Sequence, residues 1–255
     1  MTLSAKAHEA QSDTVAFFVS DVHLQASHPR TTDAFFRFLR EQALHAKQLY
    51  LLGDLFEYWA GDDDSDEPYN RRIIDALKKV SDAGVAVFWM AGNRDFLVGE
   101  QFAKATSATL LPDPFVAEIG GQRITLVHGD EQCTDDTPYM DFRAKVRQSE
   151  WQRAFLAMPL IQRKEIIANM RAGSREAQRT KSYEIMDVNA AAIASLFNGS
   201  GTSIIIHGHT HRPAKHEYDN GLVRYVLPDW DCDTEPQRGG WLAIDAAGAI
   251  TRTVF

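Results

Sequence analysis

Five short stretches of this chain share one pattern: an apolar run of strand length gives way abruptly to Asp, His or Asn. The run 15–19 (VAFFV) is followed by Ser20-Asp21-Val22-His23, and the run 49–52 (LYLL) by Gly53-Asp54, with Glu57 just beyond. Residues 85–90 lead into Gly92-Asn93-Arg94-Asp95, residues 115–127 into His128-Gly129-Asp130, and residues 202–206 into His207-Gly208-His209-Thr210-His211. Between the first three runs lie helical spacings, Phe35, Phe38, Leu39 and Leu44 first, then Ile73, Ile74, Leu77 and Val80. Pro68 suits the first turn of that second helix, and Gly84 suits its left-handed stop. Strands alternating with helices call for a parallel sheet, and open α/β sheets gather their sites at the carboxyl ends of the strands. The polar clusters sit at those ends.

The second half reads differently. Gly120-Gly121 centres a hairpin over 115–128, and further hairpin turns fall near 219–221 and 246–248. The predicted fold is an α/β sandwich, with a βαβαβ half followed by a more antiparallel half. Residues 134–197 carry no strand pattern. Their apolar residues, among them Phe142, Val146, Trp151, Phe155, Ile166 and Met170, recur at helical spacing. We read 134–197 as a helical cap inserted into a single domain spanning 1–255. Its charge is distinct: residues 140–181 hold ten Lys/Arg and four Asp/Glu, a balance of +6 inside a chain whose formal net charge is −8. A basic, aromatic-bearing insert suits an anionic lipid or a membrane surface. A salt-bridged helical layer with a solvated basic face is the competing explanation.

The acidic balance disfavours a general nucleic-acid binder. Cys133 and Cys232 alone cannot form a disulfide framework, so a reducing compartment is expected. The first fourteen residues are polar, and no run approaches the ~18 apolar residues of a membrane span. A soluble protein is expected, with attachment to a membrane surface left open. Oligomeric state is not readable.

The clusters offer carboxylate and amide oxygen with imidazole nitrogen, a mixture suited to Mn²⁺, Fe²⁺ or Zn²⁺ rather than an all-oxygen Ca²⁺ cage. The order D-x-H, G-D-x-x-E, G-N-x-D, H-G-D, G-H-T-H resembles the calcineurin-like metallophosphoesterases. That resemblance implies a double β-sandwich flanked by helices and a two-metal centre. Carried over by position, it implies one metal on Asp21, His23, Asp54 and His209. The second would sit on Asp54, Asn93, His128 and His207, with Asp54 bridging. Glu57 and His211 are then supporting residues, and Asp95 and Asp130 hold loops.

Arg94, the acidic loop after Trp59, Cys133-Thr-Asp-Asp136, the run 170–177, the run 185–189 and His207 to Pro213 narrow the likeness. Together they resemble the branch that hydrolyses UDP-2,3-diacylglucosamine in lipid A biosynthesis. The branch implies cleavage of the pyrophosphate to the lipid 1-phosphate and UMP, with two Mn²⁺ ions as cofactor. It also implies peripheral attachment at the cytoplasmic face of the inner membrane. Hydroxide generated by two cations would attack the uridine-side phosphorus, with Asp54, Asn93 and Arg94 as the catalytic set. Substrate contacts are implied at Asn93, Arg94, Asp136, Ser174, Gln178, Lys181 and His207. The alternatives are a related di-metal phosphoesterase acting on cyclic nucleotides, dinucleotides or phosphoproteins, and a non-catalytic scaffold of the same fold.

Overall fold

The computed structural model describes residues 14–180, 185 and 187–255, leaving aside the side chains of 174–180. Its strands form two sheets. The first contains β1 (Thr14–Val19), β2 (Gln48–Leu52), β3 (Ala86–Met90), β4 (Thr109–Leu111), β10 (Gly240–Asp245) and β11 (Ile250–Val254), in the order β11-β10-β1-β2-β3-β4. Strands β1 to β4 run parallel, and β10 joins β1 antiparallel. The second sheet has the order β5-β6-β7-β9-β8, built from β5 (Phe115–Ile119), β6 (Gln122–Leu126), β7 (Ile204–His207), β8 (Lys215–Glu217) and β9 (Val223–Val226).

Strand alternation divides the core. In β1, Ala16 and Phe18 face one way and Phe17 and Val19 the other. The first pair joins Tyr50, Leu52, Met90, Ile124, Leu126 and Ile206 in an apolar layer between the sheets. The second pair packs under the outer helices α1 (Pro29–Glu41), α2 (Pro68–Asp82) and α3 (Glu100–Thr106), with Phe35, Phe38, Ile73, Leu77 and Phe102. Helix α2 begins at Pro68, and Gly84 beyond its end takes φ 93°. The hairpin between β5 and β6 turns on Gly120 and Gly121, both at positive φ, as a tight hairpin turn requires.

Among the described residues of 134–197 there is no strand, and the helices are α4 (Thr137–Val146), α5 (Ser149–Leu156), α6 (Leu160–Thr180) and the start of α7 (Ala190–Ser200). Gly173 lies within α6 rather than breaking it. Helix α7 does not share the role of α4 to α6. Ile193 and Phe197 pack with Val127 and Ile205 on the outer face of the second sheet, so α7 is that sheet's cover.

Ion pairs fasten the insert to the acidic loop after Trp59. Arg163 is buried, bonds the Ala60 carbonyl and pairs with Asp63; Lys164 Nζ lies 2.6 Å from Asp64. Arg171 pairs with Glu57, and Arg147 donates to the Gly92 carbonyl at 2.9 Å. Much of the positive charge of the insert is therefore matched against the sandwich. Asp62 of the same loop accepts from the Gly99, Gln101 and Phe102 amides and from Trp59 Nε1, closing the N-terminus of α3.

Candidate metal centre

The loops after β1, β2, β3, β6 and β7 meet at one end of the sandwich. Asp21, His23, Asp54, His209 and His211 all hold left-handed backbone, with φ between 52° and 68°. Such backbone costs of order 1 kcal/mol or more per residue, and it collects where a site dictates side-chain direction. Glycines make the approach close. A Cβ at Gly92 would strike the Asp54 carboxylate, and one at Gly208 would strike Asp21 and Ser20.

Two sets of donor atoms lie within 4.8 Å of one another: Asp21, His23 and His211, and Asp21, Asp54 and His128. His23 Nε2 is 3.3 Å from His211 Nε2, which is 3.5 Å from Asp21 Oδ1. His128 Nε2 is 3.8 Å from Asp54 Oδ1. Asn93 Oδ1 closes the far side, 3.0 Å from His128 Nε2 and 2.9 Å from His209 Nδ1. The expected residues Asp21, His23, Asp54, Asn93, His128 and His209 are thus gathered in one place.

His207 is the seventh expected residue. Its Nδ1 bonds the Gly208 carbonyl at 2.8 Å and its Nε2 faces the Arg224 guanidinium at 2.8 Å. It is fully buried and adjoins the same loops, a Cβ at Gly129 falling 2.9 Å from its Nδ1. His207 is the last residue of β7, whereas His209 and His211 lie on the strained loop beyond it. His211, read from sequence as a support, stands beside Asp21 and His23. Three histidines at i, i+2 and i+4 are indistinguishable by spacing alone.

The electrostatics suit cations. Asp21 Oδ1 is buried without a hydrogen-bond partner among the described residues, a lone pair aimed into the cluster. Burial alone would raise the Asp21 pKa, but His211, His128 and His23 outweigh it and hold the carboxylate well below its usual range. Burial lowers His23 and His209 to about 4, leaving neutral imidazoles with free lone pairs. Burial also disfavours charge on His128, but Asp54, Asp21 and Asp130 reverse this and raise it to about 9. The donor set fits divalent metal: hard oxygens, neutral imidazoles, and carboxylates whose charge demands compensation.

A bracing layer surrounds the donors. Asp95 accepts from the Gly92, Asp54, Leu55 and Phe56 amides and so ties the β2 and β3 loops together. Burial, with the Asp54 charge, raises Asp95 to about 7. Asp130 accepts from Tyr139 and Arg143 of α4. Glu57 Oε2 is 2.9 Å from His23 Nδ1. Asp229, which no sequence spacing marked, stands 3.4 Å from His211 Nδ1 and accepts from Arg238 Nε at 2.6 Å.

Arg94 reaches over the centre. Its amide donates to Asp54 Oδ1 at 2.8 Å, and its guanidinium lies 3.9 Å from Asp54 Oδ2 and 3.6 Å from Glu57 Oε1. Above it opens a cavity of about 800 Å³ between the loops and helices α4 to α6. Its floor includes His23, Asp54, Asn93, Arg94 and His209; its walls include Trp59, Phe96, Tyr139, Phe142, Trp151, Phe155, Ile167 and Met170. Asp136 lines it while accepting from the Tyr139 amide at the start of α4. The side chains of Ser174 and Gln178, and Lys181 altogether, fall outside the described residues.

The profile of the Calcineurin-like phosphoesterase family matches residues 16–213. A UDP-2,3-diacylglucosamine hydrolase of Escherichia coli O7:K1 is 50% identical over 216 residues, 84% of this chain and 90% of that protein. Proteins of the same name from Chromohalobacter salexigens and Aromatoleum aromaticum are 47% and 45% identical, over 87% and 91% of this chain and 89% and 94% of theirs. This chain is a calcineurin-like phosphoesterase and belongs with these relatives in one family.

Proposed function

We propose that this chain hydrolyses the pyrophosphate bond of UDP-2,3-diacylglucosamine, yielding the diacylated sugar 1-phosphate and UMP for lipid A biosynthesis. The observation that carries the reading is the joining of a metal-ligand cluster to a large apolar chamber. A phosphoesterase of small polar esters has no use for a wall of Phe96, Phe142, Trp151, Phe155 and Met170. Two acyl chains have: each buried CH₂ contributes about 0.8 kcal/mol. The family relatives named for this substrate support it further.

The metals are held, in this reading, by Asp21, His23, Asp54 and His209 on one side and Asp54, Asn93, His128 and His207 on the other, with His211 beside Asp21 and His23 as a support. Mn²⁺ is the ion we propose, two per chain. Divalent cations bound there supply Lewis acidity, acidifying water and offsetting charge on phosphoryl oxygens. Arg94 grips two phosphoryl oxygens with its planar fork and keeps its proton throughout. The bond broken joins the uridine-side phosphorus to the bridging oxygen, so the sugar phosphate leaves as an anion and needs no proton from Arg94. Glu57 and Asp54 hold the guanidinium in place. Ser174, Gln178 and Lys181 are proposed to contact the substrate from α6 and beyond.

Among the described residues no helix is long and apolar enough to cross a membrane. Exposed Leu156, Met158 and Ile161, beside the basic α6, support docking on a membrane surface, which we place at the cytoplasmic face of the inner membrane. Release of UMP from the diacylated nucleotide by Mn²⁺-loaded protein tests the proposal, with a cyclic nucleotide in parallel. UMP from the lipid nucleotide alone is the expected result. Cleavage of the cyclic nucleotide without cleavage of the lipid nucleotide would refute it.

A further inference from the structure

A second cavity, of about 500 Å³, opens beside the metal centre, with no residue of the helical insert in its lining. The two cavities share His211 in their walls. The chamber under α4 to α6, the larger and more apolar of the two, accounts for the lipid half of the substrate. The second cavity is proportionately more polar. Asp229, Arg238 and Arg252 of β11 line it together with the apolar Pro213 and Phe255. Arg252 has no carboxylate or hydrogen-bond partner among the described residues, in a chain whose net charge is −8. Arg238 uses Nε on Asp229 and Nη2 on Asp231, which fixes the guanidinium plane at the wall. Phe255 is held by Trp230 and Trp241 at centroid distances of 5.2 and 6.2 Å, yet is 47% exposed. The ring seats there because Gly239 has no Cβ to collide with it.

A free arginine, a fixed guanidinium and a half-exposed aromatic face together suit a small planar polar group attached to an anion. We propose that this cavity is the nucleoside subsite: uracil lies against Phe255, and Arg252 donates to the oxygens of the nucleotide, while the α-phosphate reaches the metal centre past His211. The volume falls within the range of small-molecule sites. The two products would then leave from opposite sides of the cluster. The assignment rests on the substrate proposed above.

Product inhibition tests it. In Mn²⁺-loaded full-length protein, Arg252→Glu should weaken inhibition by UMP about tenfold, the loss of one charge-assisted hydrogen bond. Inhibition by the diacylated sugar 1-phosphate should stay unchanged. Arg252→Lys should retain most of the UMP effect, and both variants should unfold at the parent temperature, since Arg252 is exposed on β11. Phe255→Leu should weaken UMP severalfold while preserving the apolar contact with Trp230. Unchanged UMP inhibition in Arg252→Glu and Phe255→Leu, with the parent active on the lipid nucleotide, would overturn the subsite and leave the reaction standing. Equal weakening of both products would overturn it too. A parent protein that does not cleave the lipid nucleotide would remove both proposals together.

Discussion

Single side chains decide whether the cluster can hold ions, and the histidine triplet is where their roles are most easily told apart. His207→Ala should weaken Mn²⁺ binding well beyond about tenfold, as loss of a proposed ligand. It should also lower stability by about 1–3 kcal/mol, since Arg224 would lose a buried partner. His211→Ala should weaken Mn²⁺ binding by about tenfold, as loss of a support behind the ligands does. Isothermal titration with Mn²⁺ separates the two, and the reverse ranking would make His211 the ligand. Asp229 belongs at the same scale. Fixed by Arg238 and facing His211 Nδ1, it sets that ring's orientation. Asp229→Ala should therefore weaken Mn²⁺ binding by about tenfold. The sequence marked Asp21, His23, Asp54, Asn93, His128 and His209 because each follows an apolar run, and all are gathered at the centre. It ranked His207 and His209 above His211 through the family resemblance alone, since equal spacing carries no such information. Asp229 left no signal at all: it meets His211 only through the packing of β9 and the chain after it against the first sheet.

At the scale of elements, the parallel β1-β2-β3 unit was legible because strand-length apolar runs and helical spacings alternate cleanly with Pro and Gly at their boundaries. The insert was legible as helical but not in its division of labour. Helix α7 reads like its predecessors, and only contact with Val127 and Ile205 reveals it as a sheet cover. The charge contrast also had a double meaning that spacing could not resolve. Arg163 and Lys164 answer Asp63 and Asp64, so part of the basic excess fastens α6 over the chamber. Arg163→Met should then raise KM for the lipid nucleotide several-fold, with turnover of a small phosphodiester dye changed much less, because only the former needs the chamber wall. Asp62 works on a different element. It satisfies three amides at the start of α3, and Asp62→Ala should cost about 1–2 kcal/mol in urea unfolding.

The whole molecule is a sandwich whose inner layer binds two sheets and whose loops at one end bind ions. Phe18, fully buried between the sheets, ties these together, and Phe18→Ala should cost about 3–5 kcal/mol through the cavity it leaves. The strained backbone at Asp21, His23, Asp54, His209 and His211 is a cost the fold bears without ions and recovers when they bind. Metal that binds only the folded chain stabilises it by mass action. The account's central claim is that loops from five separate strands jointly clasp two divalent ions. The most direct test is anomalous diffraction from crystals of the Mn²⁺-loaded protein. The account predicts two manganese peaks, both within bonding distance of Asp54, one shared with Asp21, His23 and His209 and the other with Asn93, His128 and His207. A single peak, or manganese bound elsewhere on the molecule, would contradict it.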